Sequence, residues 1–225
     1  MFDSLKEIIF PKTAGTIFGL PVNESVVSGF LVVALVSIFA VIVRIFFIPK
    51  FKFVPSGFQL FLEWIVGIFS KMSKSLTKFG KLLGPFCFAA ATYICFGVLI
   101  ELFGYRPAIA DLNAGYALAL STFVLLNVFA LKQRKLKGRI KYYFEPVFFV
   151  APVKFISEIS IPFSMTFRLF GSILSGLVIM ELLYIVLWWI PIAGILSLFF
   201  TVFHAVIQAY IFTMLSLVFI AEATE

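Results

Sequence analysis

Pro162-Phe163-Ser164-Met165-Thr166-Phe167-Arg168-Leu169-Phe170-Gly171-Ser172-Ile173-Leu174-Ser175-Gly176 sets a single arginine inside a long apolar run. A guanidinium has a pKa above ~12 and cannot neutralise itself by losing a proton. Holding it at bilayer depth costs roughly 2.5 to 3.5 kcal/mol even on the lenient insertion scale. Two readings meet that cost. Arg168 snorkels to the interface or pairs with a buried carboxylate, or it is a working charge in an ion path. Gly171 and Ser175 are four apart, as are Ser172 and Gly176, so two ridges of small residues follow the arginine on a helix. They serve either ordinary packing within the chain or a smooth wall past which another helix slides.

Outward from this stretch the composition excludes a soluble domain. Of the 225 residues 62% are hydrophobic and only 13% charged, and the mean hydropathy is +1.12. A polytopic membrane protein follows. The net charge of +7 does not point to nucleic acid, because the basic residues sit in short runs between apolar spans, where topology accounts for them. Cys87 and Cys95 fall in one apolar stretch and read as small core residues. His204 is the only histidine, so no His-based metal cluster can form, and no phosphate-binding G-x-x-x-x-G-K-[ST] loop exists. No cofactor is expected, and any energy source other than an ion gradient must lie on another subunit. Met1 to Lys12 carries Asp3 and Glu7 and does not read as a secretory signal.

Spans of 18 or more apolar residues are long enough to cross about 30 Å of hydrocarbon. The expected fold is therefore all-α, with five transmembrane helices at about 26–48, 82–104, 115–131, 153–189 and 192–221. An amphipathic helix at about 56–78 would lie on the membrane surface. The last two spans are long, separated by Pro191, and must tilt, run along the interface or kink near Pro162. After the third span, six of the ten residues from Lys132 to Lys141 are basic, which predicts a cytoplasmic loop. Lys50, Lys52, Lys71, Lys74, Lys78 and Lys81 fall on the same side. The amino terminus is then expected outside and the carboxyl terminus in the cytoplasm. No inverted repeat of the transporter kind is seen.

In order along the chain, Pro55-Ser56-Gly57 with Gln59, Glu63 and Trp64, then Ala110-Asp111-Leu112-Asn113, Glu158 to Ser160, Pro162, Arg168 to Gly171, and Gln208 to Leu215 resemble subunit a of the F-type ATP synthase membrane sector. The resemblance implies an ion-translocating stator facing a rotating ring of c subunits, each with a membrane-embedded carboxylate, and joined to peripheral stalk subunit b and the rest of the synthase. It implies that Arg168 is the essential charge that attracts each arriving carboxylate and separates two half-channels. Gln208 would hold the arginine, Glu158 would line the inner half-channel, and Asp111 and Asn113 the outer one. Glu158 can equally pair with Lys154, and Glu101 reads as a helix-end carboxylate or as a further outer group. Ser172 stands where the family commonly has Asn, Leu177 where it has a carboxylate or histidine, and Thr201 where it often has a titratable partner. Glu181 and His204 each lie about one turn from those positions, so the outer path is expected to have moved to them, against a surface-facing Glu181 and a core His204. The ring, by this resemblance, largely sets whether the ion is H⁺ or Na⁺. A bacterial plasma membrane is the expected location. The competing classes are an independent channel or transporter, in which Arg168 binds an anionic substrate, and a purely structural scaffold.

Overall fold

Pro49 shapes the end of the first span. A proline inside a helix lacks an N–H and its ring crowds the carbonyl four residues back, so the chain must widen or break. In the computed structural model, which describes residues 13–17, 20–51, 57–144, 151–186 and 190–224, helix α1 (Glu24–Ile42) widens into a π turn at Val43–Phe47 and tightens into a 3₁₀ turn at Ile48–Lys50. Phe47 then meets Phe58, ring centroids 4.8 Å apart, at the start of α2 (Phe58–Leu76). Residues 52–56, with the Pro55-Ser56 pair, lie outside the described residues.

α2 and α3 (Gly80–Leu99) form a tight hairpin. A Cβ on Gly80 would fall 2.5 Å from Lys74 Cα and 2.6 Å from Ser73 O, so no side chain fits there without movement of the backbone. The Ser73 hydroxyl donates to the Gly80 carbonyl at 3.0 Å and closes the turn. α3 ends in a 3₁₀ turn, Ile100–Phe103, capped by Gly104 at φ 79°. The segment from Pro107 to Ala110 tucks back against α3, where the Ala108 N–H donates to the Gly97 carbonyl at 3.1 Å and Ile109 is fully buried.

α4 (Leu112–Phe144), α5 (Ala151–Val186) and α6 (Ile190–Thr224) complete a bundle with α3. Five helical stretches, Glu24–Lys50, Gly80–Phe103, Leu112–Gln133, Ala151–Leu183 and Gly194–Thr224, are long and apolar enough to cross a membrane. The chain is a multi-pass integral membrane protein of five spans with α2 beside them. Apolar lipid gives no hydrophobic drive for helix association, so close packing must supply it. Small residues do so here: Ala90 and Ala91 on α3, Ala119 on α4, and Ala205 and Ala209 on α6 lie in one core with Met165, Leu169 and Ile173 of α5. A second core joins Leu83 and Cys87 to Leu126, Phe129, Leu217 and Ile220. α1 stands at the edge, buried only along Ser25, Ser28, Gly29 and Val32.

Three features depart from the sequence reading. A two-stranded antiparallel hairpin, β1 (Thr13–Ile17) and β2 (Leu20–Asn23), precedes α1 and adds to the helical body. The basic run from Lys132 to Lys141 is not a loop. It is helical on both sides of a break at Lys135 (φ 55°, ψ 165°), where α4 kinks into a second helical segment, because Lys, Arg, Gln and Leu are good helix formers. Pro191 begins a helix instead of separating two, since φ near −65° and a missing N–H suit the first turn. The long helix expected next is present, α5 running through Pro162 over 36 residues. Residues 187–189, the expected end of that span, lie outside the described residues.

Candidate functional site

The periodicity of α5 fixes which way Arg168 faces. Pro162, Met165, Thr166, Leu169, Ile173 and Met180 recur at helical spacing and are buried, so the bundle takes that stripe. Ser164, Phe167, Arg168, Ser175 and Ile179 are exposed on the other side. Arg168 therefore projects from the bundle at the middle of an apolar span, and no carboxylate pairs with it among the described residues. Gly171 stands one turn beyond, with open space where a Cβ would lie. Ser175 follows, its hydroxyl turned back to the Gly171 carbonyl at 2.7 Å. An arginine beside a nearly bare backbone is thus presented to whatever covers this face.

α6 brings His204 and Gln208 against α5. A Cβ on Gly176 would lie 3.9 Å from His204 Cε1 and 4.0 Å from Nε2, ordinary contact distances that place the imidazole against the backbone of α5. The two helices run antiparallel, so Ser172 comes level with Gln208, and Arg168 lies about one turn, ~5 Å, further along. Gln208 is 4% exposed, and its Nε2 is buried without a hydrogen-bond partner, as is Nε2 of His204. Gln208 is not hydrogen-bonded to Arg168. A cavity of about 280 Å³ opens between α3, α5 and α6, and its wall includes Glu101, Ser172, Ser175, Gly176, Thr201 and His204.

Asp111 is held differently. Its Oδ1 accepts from the Asn113 N–H at 3.2 Å and its backbone carbonyl accepts from Ala114 and Gly115, which makes it the N-cap of α4. Its Oδ2 accepts from Asn23 Nδ2 at 2.9 Å, tying β2 to α4. The Arg106 guanidinium is close by. Burial pushes its pKa down, and the Glu24 and Asp111 carboxylates push it back up. The Asn113 side chain is exposed beside this cluster.

These elements and their order match one known family. The family model described as ATP synthase A chain fits residues 26–221. The chain belongs to that family. ATP synthase subunit a 1 of Prosthecochloris aestuarii is 32% identical over 182 residues, 76% of each chain. ATP synthase subunit a of Legionella pneumophila is 30% identical over 218 residues, 94% of this chain and 91% of its own. ATP synthase subunit a 2 of a Picosynechococcus strain is 32% identical over 209 residues, 90% and 86% respectively.

Within this ATP synthase A chain member, the residues singled out from sequence divide by place. Arg168, Gly171 and Ser175 share the outward face of α5. Ser172, Gly176 and His204 meet at the cavity, and Gln208 is buried one turn from His204. Glu158 is half-buried ten residues before Arg168, about 15 Å away, toward the opposite end of α5 from the cavity. Glu181 is half-buried next to Met180 and is not part of the cavity wall. Glu101 and Thr201 join the wall beyond expectation. Glu101 was legible: it continues the buried stripe Cys87, Ala91, Ile94 and Val98 by one more step of three.

Proposed function

We propose that this chain is the ion-translocating stator subunit of an F-type ATP synthase, working against a ring of membrane carboxylates. The observation that supports this reading is the outward-facing Arg168 at mid-span beside the open face of Gly171 and Ser175. A guanidinium stays charged where a desolvated lysine would lose its proton, and its planar fork can pass contacts from one carboxylate to the next. It thereby attracts a ring carboxylate that has released its ion and blocks a direct leak between two half-channels. Glu158 serves the inner half-channel. Asp111, Asn113, Glu181 and His204 serve the outer one, with Ser172 along the path, and Gln208 supports the arginine region. Gly171, Ser175 and Gly176 let the ring helix pass closely.

One charge crossing 100 mV releases about 2.3 kcal/mol, so several ions must cross for each ATP made on the catalytic head. The ion is H⁺ or Na⁺. Peripheral stalk subunit b holds the chain against rotation, the carboxyl terminus is cytoplasmic, and the location is a bacterial plasma membrane, a reading supported by the bacterial source of the relatives. The test is purification from native membranes. Recovery with a c-ring and an ATPase head, and no coupled transport by the chain alone, is the expected result. Substrate transport by the isolated chain would favour an anion transporter instead.

A further inference from the structure

Glu101 occupies an unusual place for a carboxylate. Leu102 and Phe103 on the same 3₁₀ turn are exposed, Phe103 at 79%, whereas Glu101 is half-buried. Glu101 instead continues the inward stripe of α3 and lines the cavity, and its turn packs against α6. His204 lines the same cavity from α6, and its buried Nε2 has no hydrogen-bond partner among the described residues. A buried imidazole nitrogen without a partner is costly unless water or another group satisfies it. The wall favours water. Ser172 and Ser175 commit their hydroxyl protons to the Leu169 and Gly171 carbonyls, at 3.0 and 2.7 Å, and keep acceptor capacity. The space is large enough for several molecules.

We propose that Glu101 and His204 form the proton-exchange pair of the outer half-channel, linked through water in this cavity. This rests on the stator reading above and extends it by naming the carboxylate and fixing the ion at this point as H⁺. The cavity wall runs from Ser172 to Met180, one to three turns beyond Arg168 and away from Glu158. Toward water, Glu101 directly precedes the segment leading to Asp111. Toward the ring, the exposed Ser175 and Ile179 bring the cavity to the face of α5 that carries Arg168. A proton from outer water adds to the Glu101 carboxylate and moves through water to the neutral imidazole. The imidazolium then gives a proton to a ring carboxylate. Both groups return to their starting forms, and one proton has crossed. Of the side chains facing the cavity, Glu101 and His204 are the titratable ones; α3 adds Val98, and α5 adds hydroxyls and apolar groups. Glu181, beside Met180, is the nearest further carboxylate along α5.

The experiment uses the assembled synthase in sealed vesicles and measures ATP-driven pumping and gradient-driven synthesis as the outer pH is varied. Glu101→Gln and His204→Ala should each slow transport by at least about tenfold and flatten its dependence on outer pH. The double variant should be no slower than the slower single one. Glu101→Asp should restore much of the rate, which a lost packing contact would not. If Glu101→Gln does not assemble, Thr201→Cys decides: a small hydrophilic thiol reagent added outside should modify it and stop pumping, and failure to react would overturn the water-filled path. A wild-type rate and pH profile in Glu101→Gln, while Arg168→Ala is inactive, would overturn the pair and leave the stator reading standing. Pumping by Arg168→Ala would overturn the reading beneath it. Transport that is accelerated by Na⁺ and indifferent to pH would overturn the assignment of H⁺.

Discussion

Asn23 and Asp111, 88 positions apart, are joined by a 2.9 Å hydrogen bond from Nδ2 to Oδ2 that fastens the end of the β-hairpin to the first turn of α4. The same carboxylate caps that helix through Oδ1. Asp111 thus has a structural duty and, in the proposed outer path, an electrostatic one.

The two duties separate by substitution. Asn is as good an N-cap as Asp, so Asp111→Asn should leave thermal stability in detergent nearly unchanged, whereas Asp111→Ala should cost about 1 kcal/mol from the cap alone. If the charge serves ion access, both variants lower the pumping rate. A slowed Asp111→Ala beside a fully active Asp111→Asn would confine the residue to capping.

Gly80 offers a purely structural test. A methyl group there would press on the backbone of Lys74 and Ser73, which cannot rotate away as a side chain can. Gly80→Ala should destabilise the α2–α3 hairpin by about 1–3 kcal/mol, read as a lowered melting temperature. An unchanged melting temperature would mean that the turn relaxes freely.

Length and hydropathy made the five spans legible, and helical spacing marked the small-residue ridges after Arg168, but the face on which the arginine stands came from the packing of α5. The spacing from Ile94 through Val98 to Glu101 also held the clue to the cavity carboxylate, but an acidic residue at the end of an apolar run reads as easily as a solvated helix terminus. The β-hairpin was hidden because strand pairing is a tertiary event, and the segment from Thr13 to Asn23 shows no long alternation. The helical course of Lys132 to Lys141 was hidden by its charge, which signals orientation strongly and conformation weakly. Nothing in one sequence could show that Gly176 meets the His204 imidazole, because that depends on the register between α5 and α6.

The open face of α5 makes a prediction about proximity. Gly171 has no neighbour within reach of a Cβ and Ser175 is exposed, so cysteines at either position should form disulfides with cysteines on the ring helix near its carboxylate. Crosslinks that form only within this chain would make the small-residue ridge an internal packing surface.

Glu181 and His204 test the outer path from another direction. Each substitution leaves Arg168 untouched, so Glu181→Gln and His204→Ala should slow transport without uncoupling it, and should alter its dependence on outer pH. If both act in one route, the double variant should be little worse than the worse single one. An unchanged rate and profile in Glu181→Gln alone would leave the route to Glu101, His204, Asp111, Asn113 and water.

Arg168 carries the strictest requirement. Alanine there removes the charge that holds a deprotonated ring carboxylate, and lysine replaces a delocalised fork with a point charge that can lose its proton when desolvated. Arg168→Ala and Arg168→Lys should both insert and assemble, because the side chain projects from the bundle and supports no core contact. Both should nevertheless lose ATP-driven pumping, measured as quenching of a pH-sensitive dye in inverted vesicles. In Arg168→Ala the barrier between the half-channels is gone as well, so vesicles energised by another pump should leak ions passively. Substantial coupled pumping by the assembled Arg168→Ala enzyme would show that the arginine is not the charge on which the ring turns.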